Sequence, residues 1–198
     1  MTTKKLAAGP LVLMILPLFF SCATGAGLGE PVSSDWPDLR VRRDNFQNAY
    51  FVHSAALNRE LVFNPIFLYV VKTETSTVLR FRTVYTGDWW LFFNRVILAN
   101  EQGVNFQFDF ESAHINRVVV GRGGGIRETA DIAVSGFVRD RHSQPDRVRQ
   151  LRELFDGTNV RVRLTGGGRT QDYNIFQSNV AALRDMIAYF ESITSTIE

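Results

Sequence analysis

The chain has 198 residues, 45% apolar and 21% charged, which is enough apolar material for one domain with a sizeable core. Its formal charge is +2, but Lys4 and Lys5 belong to an N-terminal segment; from residue 23 onward, Lys72 and 19 Arg balance 20 acidic residues. A domain without net charge exerts no global pull on nucleic acid or anionic lipid.

Lys4 and Lys5 precede an apolar run, Leu6 to Phe20, interrupted only by Gly9, Pro10 and Pro17. Its 15 residues fall short of the ~20 needed to span a bilayer core and fit the apolar region of an export signal. Pro17 ends the helix before the processing point, because its ring and missing N–H break the turn. The run closes on Leu18-Phe19-Phe20-Ser21-Cys22, which contains the only cysteine. An unpaired cysteine in an exported chain needs its own explanation.

With a small residue before that cysteine, the segment resembles the lipobox of bacterial lipoproteins. Phe19 and Phe20 stand where that family favours Leu and a small residue. The resemblance covers residues 1–22 and implies cleavage after residue 21, lipidation of Cys22 and permanent attachment to a membrane. Ala23 stands where an Asp often signals inner-membrane retention, so the resemblance implies the outer membrane of a bacterial envelope. Plain secretion with cleavage near Ala23 or Ala26, and an uncleaved anchor, are the other outcomes open to this segment.

Residues 22–35 are small, Gly-rich and nearly uncharged, and read as a lipidated terminus and flexible tether of about 20 Å. A single β-rich domain is expected over 36–198. Val104 to Glu111 alternates with Phe106, Phe108 and Phe110 on one face, the period of a half-buried strand. Thr77 to Thr86 sets Leu79, Phe81, Thr83 and Tyr85 opposite Arg80 and Arg82, and Val160 to Leu164 alternates with Arg161 and Arg163. Ile126 to Val134 alternates less cleanly. Leu61 to Val71 and Trp89 to Leu98 are nearly continuous apolar runs, as in central strands. Tyr50 to His53 and Arg117 to Val120 add two short strands. Turn residues at 86–88, 100–103 and 123–125 predict successive hairpins.

Two helices follow. Ser143, Pro145 and Asp146 predict a capped start, Val148, Leu151, Leu154 and Phe155 an apolar stripe, and Gly157 a stop. Val180, Leu183, Ile187 and Phe190 predict a second helix from about Ser178 to Ser192. The order predicts a mainly β fold: an antiparallel β-sandwich of meander type, with both helices in the C-terminal half. A lipocalin-like closed barrel is the alternative, although Trp36 lacks that family's preceding Gly-x.

No sequence motif fixes an activity. The glycine triplets at 121–125 and 166–168 lack the lysine and following helix of a phosphate loop and read as turns, with Arg122 and Arg169 as a possible anion-binding rim. His53, His114 and His142 lack metal-site spacing. Asp109, Glu111 and His114 form the only local cluster of metal-ligand type, and exposed strand-face acids are the simpler expectation. No Gly-x-Ser-x-Gly elbow is present. The 19 Arg suit bidentate anion recognition, yet they are scattered rather than clustered.

The densest aromatic patch is Trp89-Trp90-Leu91-Phe92-Phe93. On a strand, Trp89, Leu91 and Phe93 share one face and Trp90 and Phe92 the other. The second face is covered by a helix or exposed for binding. The candidate binding surface is therefore Trp89, Trp90, Phe92, Arg122 and Arg169, with no cofactor, no metal and no catalytic residue assigned. The expected function is that of a lipid-anchored, non-enzymatic binding or structural module. Its partners are the membrane, through the lipid, and another envelope protein or a glycan; nucleic acid is excluded. A cavity lined by Phe81, Phe106 and Phe108 would indicate a carrier of a small apolar molecule. A cleft gathering His114 with Asp109 and Glu111 would indicate a hydrolase or metal site.

Overall fold

Strands dominate because apolar and polar residues alternate along most of the chain. The structure, a computed structural model, describes residues 29–45, 47–59, 65–120, 124–138 and 141–195. The first sheet begins with β1 (Glu30–Ser33), β2 (Trp36–Asp44), β3 (Ala49–Ser54), β4 (Ile66–Lys72) and β5 (Ser76–Gly87), each paired antiparallel with the one before. The chain then crosses to a second sheet for β6 (Phe93–Ala99) and β7 (Asn105–Asp109), and returns for β8 (Ile115–Val120), β9 (Gly125–Val138) and β10 (Arg141–Ser143). β9 pairs with β5 along one edge, and β8 and β10 share its other edge end to end. β11 (Arg161–Gly166) and β12 (Arg169–Asn174) complete the second sheet in the order β12-β11-β6-β7.

The fold is an antiparallel β-sandwich. Neither sheet closes on itself, which sets the lipocalin-like barrel aside. The space between the sheets is filled: the Phe81 ring of β5 stacks on Phe108 of β7 at 4.1 Å, and Phe106 lies 4.8 Å from Phe108. Phe81, Phe106 and Phe108 are therefore core rather than cavity walls. Three helices accompany the sheets: α1 (Ala55–Arg59), α2 (Pro145–Asp156) and α3 (Gln177–Ser195). α3 carries Val180, Leu183, Met186, Ile187 and Phe190 into the core and packs across β2 to β5. α2 packs on α3, β7 and β9, with Val148, Leu151, Leu154 and Phe155 buried. Among the described residues no helix is long and apolar enough to cross a membrane.

Several expectations need correction. Glu30–Ser33 pairs with β2, so the sheet begins inside the segment expected to be tether. β2 and β12 belong to the sheets without having been expected as strands. Residues 86–88 do not form a hairpin, because β5 and β6 lie in different sheets. The cap of α2 is Gln144, in the left-handed region at φ 57°, rather than Ser143; Pro145 opens the helix. Residues 1–28, Cys22 among them, lie outside the described residues.

Candidate functional site

The crossing from β5 to β6, Asp88 to Phe92, is too short to wander and must turn from one sheet to the other at one end of the sandwich. Its anchor is Glu128, on the inner face of β9. The Glu128 side chain is 0% exposed, and its Oε1 accepts hydrogen bonds from the backbone N–H of Leu91 at 2.6 Å and of Phe92 at 2.8 Å. Its Oε2 faces Arg117 Nε of β8 at 3.0 Å. A buried carboxylate is tolerated only when paired and hydrogen-bonded, and here both conditions hold. Leu91 and Phe93 are thereby pulled into the core, both almost wholly buried.

Between those two buried residues, Phe92 turns outward. Its backbone adopts φ 51°, in the left-handed region, and its residue is 52% exposed. Trp90 stacks beside it with ring centroids 5.8 Å apart, and the Arg117 guanidinium lies 5.4 Å from the Phe92 ring. Trp89 is 51% exposed; its carbonyl accepts a hydrogen bond from the Tyr85 hydroxyl at 3.1 Å. Val119 on β8, exposed on the same strand face as Arg117, extends the apolar surface.

The β11–β12 hairpin packs against this crossing. Gly167 at φ 55° and Gly168 at φ 74° make the two-residue turn of left-handed residues that suits the twist of paired strands. A methyl group on Gly166 would overlap Phe92 O and Phe93 Cα, so the close approach of the two backbones requires glycine there. Arg169 begins β12 close enough to act on Tyr85. Burial pushes the Tyr85 phenol up, the charges of Glu128 and Asp88 push the same way, and Arg169 opposes them.

The end of the sandwich therefore gathers Trp89, Trp90, Phe92 and Arg169 from the expected surface, while Arg122 lies outside the described residues. The pairing of faces differs from expectation. Trp89 is exposed rather than buried with Leu91, because residues 88–92 form no strand; Trp90 is half-buried. Glu128 and Arg117, the residues that hold the site, were not singled out from the sequence. A lone acid in the alternating pattern of β9, falling on its apolar side, was the available signal.

The acidic cluster does not assemble. Asp109 is held by Arg95 at 2.7 Å and Gln107 at 2.6 Å, and these hydrogen bonds, Arg95 first, keep its carboxyl below the usual range. Glu111 and His114 are exposed, and no group of three His, Cys, Asp or Glu among the described residues is placed to hold a metal ion. Comparison with protein-family models, with curated proteins and with solved structures finds no match.

Proposed function

We propose that the chain is a lipid-anchored, non-enzymatic binding module of the bacterial cell envelope, most simply at the outer membrane. Its aromatic end, centred on Trp89 and Phe92, is the docking surface for another envelope protein or a glycan. The observation that carries this reading is Phe92. Left-handed backbone costs a non-glycine residue about 1–2 kcal/mol, and glycine would take the same turn without that cost. The phenyl ring brings little burial in return, since half of the residue faces solvent. Local strain of this kind, held in place by Glu128, is a mark of sites kept for function. Large aromatics fixed in water are also the side chains that dominate protein interfaces. The anchor rests on the lysines, apolar run and Ser21-Cys22 of the N-terminus.

The test pairs wild-type chain with Phe92→Gly and Trp89→Ala in recovery of partners from envelope extract, alongside co-sedimentation with purified cell-wall glycan. Phe92→Gly should keep or raise the unfolding midpoint while partner or glycan recovery falls about tenfold. Equal recovery by all three chains would remove the aromatic end as a site. Cys22→Ala should abolish incorporation of labelled palmitate and leave unprocessed precursor; normal maturation of that variant would sink the anchor.

A further inference from the structure

The outer face of the larger sheet, opposite the core, carries a trough of about 440 Å³. Strand alternation builds it. Phe51, Phe67 and Val84 project from β3, β4 and β5 to form an apolar floor, and Leu57 of α1 walls one end. Arg42 of β2, Arg82 of β5 and Arg127 of β9 stand along it, and among the described residues no Asp or Glu lines it. This volume lies within the range that holds small-molecule ligands.

Of these three cations, only Arg82 has a carboxylate partner among the described residues. Asp131 on β9 takes Arg82 at 2.7 Å, Arg80 at 2.7 Å and the Tyr69 hydroxyl at 2.6 Å, so one carboxylate serves two arginines. Arg82 also lies 5.0 Å over the Tyr69 ring, which fixes its guanidinium at the rim. Arg42 and Arg127 make no ion pair among the described residues. The chain is neutral as a whole from residue 23 onward, yet this face keeps an excess of positive charge beside a half-buried apolar floor.

We propose that the trough binds a small amphiphilic anion: a carboxylate, or an equivalent acid group, on a compact apolar body. The apolar part would cover Phe51, Phe67 and Val84, and the acid group would take Arg82 and Arg127, which stand on the adjacent strands β5 and β9, with Arg42 of β2 at the trough's other end. A guanidinium presents parallel donors that match a carboxylate, and such charge-assisted bonds are stronger than neutral ones. A cation would be repelled, and a neutral ligand would forgo those bonds. The site lies on the sheet face rather than at the aromatic end, so it stands independently of the docking surface.

The test uses the full chain in phosphatidylcholine nanodiscs, titrated with 2-naphthoate and with uncharged 2-naphthamide by calorimetry, empty nanodiscs supplying the baseline. Saturable naphthoate binding below ~1 mM is expected, about tenfold tighter than the amide. Arg127→Gln, at an exposed position, should weaken it about tenfold or more, while Arg95→Gln on the other sheet changes nothing. Trp89→Ala and Phe92→Gly should leave it intact, which separates this site from the aromatic end. Equal affinity for acid and amide, or unchanged binding by Arg127→Gln, would overturn the proposal. So would loss of naphthoate binding on phosphatidylglycerol nanodiscs, since that outcome identifies a lipid headgroup as the occupant.

Discussion

Glu128 ties β8, β9 and the β5–β6 crossing together at one buried point. It is fully buried, and three donors from β8 and the β5–β6 crossing converge on it. Glu128→Ala would leave two backbone N–H groups without their acceptor and Arg117 without its partner, and donors left unmet where they are buried are costly. A loss of about 3 kcal/mol or more in urea unfolding is expected. Glu128→Gln keeps an acceptor for Leu91 and Phe92 and gives up only the charge opposite Arg117, which is itself part-exposed; it should cost less than half as much. Equal losses for the two variants would show that the charge, rather than the hydrogen bonds to the crossing, holds the site. This residue was legible only as an anomaly. Nothing in residues 125–134 says that one acid on the apolar side will find three donors, since all three come from other segments.

At the scale of elements, turns and caps explain why the pieces meet where they do. The β6–β7 turn is tied to the end of α2 by Asn100. Its Nδ2 donates to Leu154 O at 3.0 Å, and its Oδ1 accepts from Val104 N–H at 3.0 Å. Gly157 lies against this bridge, with φ −76°, so its requirement is space rather than backbone freedom. A methyl group there would overlap Asn100 Nδ2 and Gln102 Oε1. Gly157→Ala should therefore lower the melting temperature, by about 1–3 kcal/mol in stability, as overpacking does. No change would show that Asn100 can move without losing its two bonds. The same scale explains the missed elements. β2 has the alternation of Leu39 and Val41 with Arg40 and Arg42, but beside a Gly-rich tether that signal was short. β12 carries no apolar stripe, and its strand form comes from pairing with β11.

At the scale of the whole molecule, alkaline pH should probe the packing. Burial, then the hydrogen bond and charge of Asp131, push the Tyr69 phenol up to about 12, and burial pushes Tyr173 up to about 12. Tyr85 and Tyr189 are raised as well, with burial the first cause in each. A phenol whose folded pKa is raised holds its proton more tightly when folded. Its contribution is therefore complete below the unfolded value of about 10 and disappears as pH rises through the folded value. From residue 23 onward the chain has a single lysine, Lys72, so tyrosines dominate this range. The urea midpoint should hold steady to about pH 9.5 and fall between about pH 10 and 12, with a smaller fall in Tyr69→Phe. A midpoint that stays level to pH 12 would contradict the burial of these phenols.

The β class, the strands of clean alternation, both long helices and the aromatic run that marks one end of the sandwich were all legible in the order of residues alone. These are local matters: period, turn chemistry and capping are written within a few neighbouring residues. Folding in three dimensions sends residues 88–92 across between the sheets and sets Phe92 further out than Trp90. It alone set three arginines from β2, β5 and β9 around one apolar trough. Those outcomes depend on which strands pair and on which face each packs, and such long-range contacts leave no periodic trace in the segments that make them.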